Sequence, residues 1–90
     1  MFTIKYCKIL GLFFVYIEGE AHETQLWKMK TSQLFKLMVD MKNEKVNFEI
    51  NEDQIKRFKL IARKTVKGVH KKKNMNYLMR IATKYGNIAF

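Results

Sequence analysis

The chain has 90 residues, 48% of them apolar, a single cysteine, no proline and a formal net charge of +10. One thiol excludes an internal disulfide framework and fits a reducing, intracellular setting. The charge is unevenly placed: residues 1–53 hold seven Lys against eight acidic residues, whereas residues 54–90 hold eight Lys, three Arg and no carboxylate.

The first 30 residues read as β structure. Phe2, Ile4 and Tyr6 alternate with Thr3, Lys5 and Cys7, and residues 12–17 form a dense aromatic and β-branched run of the kind strands favour. Gly11 and the pair Glu18 and Gly19 are turn candidates, since glycine reaches positive φ without steric cost. Residues 24–30 are expected as a third strand with Trp27 and Met29 on one face. The same region also has the outline of a secretory signal: Lys5 and Lys8, the apolar run 9–17, then Gly19, Glu20 and Ala21. Under that reading the product is a secreted cationic peptide. The run is far short of the roughly 20 residues of a membrane span, and the alternation ahead of it favours a retained strand and a cytoplasmic protein that does not enter membranes.

Thr31 and Ser32 offer hydroxyls to the free N–H groups of a helix start, and Leu34, Met38 and Met41 share a stripe of a helix over 32–42, with Phe35 and Val39 beside it and Asn43 at its end. Val46, Phe48 and Ile50 alternate with Lys45, Asn47 and Glu49, predicting a short strand. Asn51 with Gln54 three residues on predicts a capping box. The helix that follows places Ile55, Phe58, Ala62 and Val66 inward, and Lys56, Lys59, Arg63 and Lys67 on a second stripe widened by Arg57 and Lys64. Gly68 is expected to stop it. A basic loop with His70, Lys71, Lys72 and Lys73 leads to a last helix near 75–85 carrying Tyr77, Arg80 and Lys84. The expected class is therefore α+β in one small domain: a β-meander of two or three strands, a helix, a short strand and two basic amphipathic helices.

A run of 37 residues without a carboxylate points to a polyanionic partner, most simply nucleic acid. The expected contacts are Lys56, Lys59, Arg63, Lys64, Lys67, Lys71, Lys72, Lys73, Arg80 and Lys84. Lysines supply point charges for phosphates and the arginines bidentate contacts, and DNA is preferred over RNA because no aromatic strand motif or clamping glycine loop for single-stranded RNA is visible. A homodimer is expected too, because a domain this small buries only about 60–65% of its unfolded surface. Catalysis and cofactors are not expected. His22 and His70 lack neighbours at metal-ligand spacing, and there is no phosphate loop or nucleophile elbow. The alternative reading is a small viral or mobile-element inhibitor that uses the same charge against an acidic protein or a ribonucleoprotein.

Two family resemblances accompany these residues. Residues 45–86 resemble a ribbon-helix-helix DNA-binding module: an alternating strand, the polar cap at 51–53, a helix with Ala62 at the packing position, a turn, and a second helix. That resemblance implies an obligate dimer whose paired strands enter the major groove, with Lys45, Asn47 and Glu49 toward the bases. Residues 15–21 resemble the LAGLIDADG motif of homing endonucleases, which implies a metal-binding role for Glu20.

Overall fold

The computed structural model describes residues 1–72. Lys73, Tyr77, Arg80, Lys84 and the expected last helix lie outside the described residues. Among the described residues the architecture is α+β: a three-stranded sheet and two helices that share one core.

Strand β1 (Phe2–Cys7) pairs antiparallel with β2 (Leu12–Ile17), setting Phe2 against Ile17, Ile4 against Val15 and Tyr6 against Phe13. Opposed residues of an antiparallel pair share a face, so these six side chains form one apolar surface. The connection closes where the Gly11 N–H donates to the Cys7 carbonyl at 2.8 Å, with Gly11 at φ 65°. That left-handed value is why a glycine stands there.

Residues 24–30 do not form the third strand expected. Thr24 makes one bridge to Val15, and Leu26–Lys28 then turn as a short 3₁₀ segment. Only Leu26 of that segment is buried, while Trp27 stays 70% exposed. One anchoring side chain, not an alternating face, decides the local path.

Helix α1 (Thr31–Lys42) begins a residue earlier than its hydroxyls suggested. Its cap is Lys30, whose N–H donates to the Gln33 side-chain oxygen at 3.1 Å. Leu34, Phe35, Leu37 and Met41 are its buried residues. α1 provides the crossover that a parallel strand pair requires, and β3 (Asn47–Phe48) then lies parallel to β1, giving the order β2-β1-β3. Glu44 between them holds φ 57°, a left-handed turn with no glycine to announce it. The inner edge of β3 is taken by β1, so a two-chain ribbon could form only on its outer edge, with a sheet behind it. The 15–21 segment is the end of β2 followed by a turn, so the helix that the endonuclease motif occupies is not present there.

Helix α2 (Glu52–Lys72) opens with the expected reciprocal cap: the Gln54 N–H donates to the Asn51 side-chain oxygen at 2.9 Å, and the Asn51 N–H to the Gln54 side-chain oxygen at 3.1 Å. Phe58, Ala62 and Val66 are buried in a single core with Ile4, Val15, Leu34 and Phe35. Gly68 does not stop this helix. It lies inside it, and 69–72, expected as loop, are helical. The stripe Phe58, Ala62, Val66 runs on to Val69, which packs against the core, and that burial outweighs the roughly 1 kcal/mol a mid-helix glycine costs. A Cβ built on Gly68 meets nothing within 4 Å. Gly68→Ala is thus expected to raise stability by about 0.5–1 kcal/mol, read as a higher Tm. A helix-ending glycine would give a loss instead.

Candidate nucleic-acid interface

The core stripe of α2 fixes what the rest of the helix can do. At 3.6 residues per turn, burying Phe58, Ala62 and Val66 turns Lys56, Lys59, Arg63, Lys64 and Lys67 outward, and all five are exposed. Arg57, placed on this stripe by the sequence but not counted among the named contacts, is exposed beside them. Its spacing from Lys64, seven residues or about two turns, is the signal that assigns it. Lys71 and Lys72 extend the helical backbone by part of a turn. Lys56 and Lys67 are eleven residues apart, just over three full turns, so they share a direction across about 16 Å of helix.

These cations are uncompensated. Among the described residues no ion pair involves Lys56, Arg57, Lys59, Arg63, Lys64 or Lys67. Glu52 and Asp53, in its first turn, stand four positions before Lys56 and Arg57 without pairing, and there they favour the positive helix N-terminus. The front of the molecule is different. Lys5 Nζ lies 3.2 Å from Glu23. The hydrogen bond and charge of Glu23, with a smaller contribution from Glu49, hold the Lys5 pKa above the ordinary lysine value. Like charges at Lys59, Arg63 and Lys67 repel by a few tenths of a kcal/mol per pair, a cost that phosphates would relieve.

Aromatic rings support the base of this face. The Arg57 guanidinium lies 5.8 Å from the Phe13 ring and 6.0 Å from Tyr6, and Lys59 Nζ 5.9 Å from Phe48. Each such contact restrains a long side chain by roughly 0.5–1 kcal/mol at exposed sites. Two apolar side chains interrupt the charge: Leu60, 56% exposed, and Ile61, 41% exposed.

Elsewhere the described residues hold no group of three His, Cys, Asp or Glu side chains placed to bind a metal. Glu20 sits exposed in the turn after β2, with the Gln33 side-chain amide 3.5 Å away. No described helix is long and apolar enough to cross a membrane. No family of known proteins, no curated protein and no solved structure matches this chain.

Proposed function

We propose that the protein is a non-catalytic, cytoplasmic nucleic-acid-binding protein whose α2 face meets the phosphate backbone. The observation that supports it is the row Lys56, Arg57, Lys59, Arg63, Lys64 and Lys67: exposed, on one rigid helix, and free of carboxylate partners among the described residues. Phosphates positioned by lysines carry no sequence information, so the face binds with weak sequence preference. Lys71, Lys72, Lys73, Arg80 and Lys84 add charge in sequence to the same half. A second copy, paired through the outer edge of β3 as the ribbon-helix-helix resemblance implies, would double the cationic surface.

The test is a salt series on a duplex probe. With six phosphates neutralised, log K falls against log salt with a slope of about −5, so affinity drops on the order of 10³-fold between about 50 and 200 mM salt. A flat dependence, or no binding to either duplex or single-stranded probes, removes the reading. Capture of an acidic protein by the same face would then account for the exposed Leu60 among the cations, since apolar contact with a duplex backbone has little to offer.

A further inference from the structure

We infer that the notch beside α2 is a base-stacking site, so that the protein takes single-stranded nucleic acid with one unpaired base on Trp27. This rests on the phosphate-binding reading of α2 and adds a substrate class to it. Trp27 is the chain's sole tryptophan and is 70% exposed at the tip of the 3₁₀ segment. It is not a lone surface residue: Leu12 and Ile61, both partly exposed, line the same notch, and such a grouped apolar patch marks an interaction site more often than a single exposed side chain does. It lines a small cavity of about 130 Å³ with Leu12, Phe13, Leu26, Arg57 and Ile61. That volume is well below the roughly 300–1,000 Å³ of sites for whole small molecules, and suits one flat ring.

The charge around the notch selects the occupant. Lys28 Nζ stands 5.0 Å from the centre of the Trp27 ring, and Arg57 forms part of the wall and of the α2 cationic row. A strand laid along α2 keeps its phosphates on Arg57 and Lys64 and turns a base into the notch, with Lys28 meeting the next phosphate. A second copy of the chain is the competing occupant. A two-fold contact places each residue against its own twin's surroundings, which brings Arg57 and Lys28 together with their counterparts. Among the described residues no acidic one lines the notch, and like charges at an interface are costly. A duplex cannot fill the notch either, because its bases are already stacked.

The sole tryptophan is also the reporter. The full chain is titrated with an oligothymidylate of about 15 nucleotides, a duplex of equal length and inorganic polyphosphate, following Trp27 emission and, by anisotropy or competition, affinity. The expected result is strong quenching by oligothymidylate and little by polyphosphate, which offers charge without a ring. Trp27→Ala should lower oligothymidylate affinity roughly tenfold with duplex affinity within twofold, and Trp27→Phe should recover most of the loss. Circular dichroism should be unchanged in both, since the side chain is exposed. Oligothymidylate binding with unchanged emission, or equal affinity in Trp27→Ala, overturns the stacking site while leaving the α2 reading intact if duplex still binds with a steep salt slope. A dimer in sedimentation velocity that Trp27→Ala makes monomeric overturns it in favour of the second copy. No binding of any probe overturns both readings.

Discussion

Replacing Lys56, Arg63 and Lys67 together by glutamine is expected to weaken duplex binding by on the order of 10³-fold at about 50 mM salt, with the fold unchanged. Three lost phosphate contacts flatten the log–log salt dependence by about 2.7. Carried from about 1 M, where the electrostatic contribution fades, down to about 0.05 M, that slope amounts to roughly three and a half decades. Glutamine keeps the helix propensity, and the three residues point away from the core, so far-UV circular dichroism and Tm should not fall. Tm should rise slightly instead, because the Arg63–Lys67 repulsion is removed. The control is Lys30, Lys36 and Lys42 changed the same way, which leaves the cationic row untouched. Equal losses in the two triple variants would mean that net charge alone, and not the α2 face, attracts the probe.

Local chemistry made some elements legible in the sequence and left others hidden. Hairpin β1–β2 could be read because its alternation and its two glycines agree, and α2 because Asn51, Gln54 and the Phe58, Ala62, Val66 spacing agree. The outward cations follow from that spacing without further information. Three features depend on tertiary context instead. Gly68 looks like a stop by itself, but Val69 packing on the core continues the helix through it. Residues 24–30 have strand-like composition, yet one buried leucine at position 26 bends them. The parallel pairing of β3 with β1 joins segments 44 residues apart in sequence at Thr3 and Asn47, which no local pattern encodes. The Trp27 notch was hidden for the same reason: it forms only where the 3₁₀ turn meets α2.

The cationic face keeps its geometry only while α2 is held on the sheet, and Phe58 is the largest buried side chain of α2 that holds it. It is fully buried, edge-on to Phe13 on β2 at 5.5 Å and to Phe48 on β3 at 6.2 Å. One ring thus joins the helix to both outer strands. Phe58→Ala removes that ring and leaves a cavity between elements, at a cost of about 3–5 kcal/mol. Small domains begin near the lower end of the roughly 5–15 kcal/mol found for folded proteins, so little stability remains. The expected outcome is a urea midpoint close to zero and loss of the cooperative circular dichroism transition at room temperature. Leu60→Ala, two residues along the same helix and mostly exposed, should change stability by no more than about 0.5 kcal/mol. Phe58→Leu should lie between, losing roughly 1–1.5 kcal/mol because volume is nearly kept. An Ala variant that melts with the native midpoint would mean that α2 is not anchored by this ring. Circular dichroism separates the two variants expected to lose binding: the glutamine triple variant fails while folded, whereas Phe58→Ala fails because the surface that carried the charge has come off the sheet.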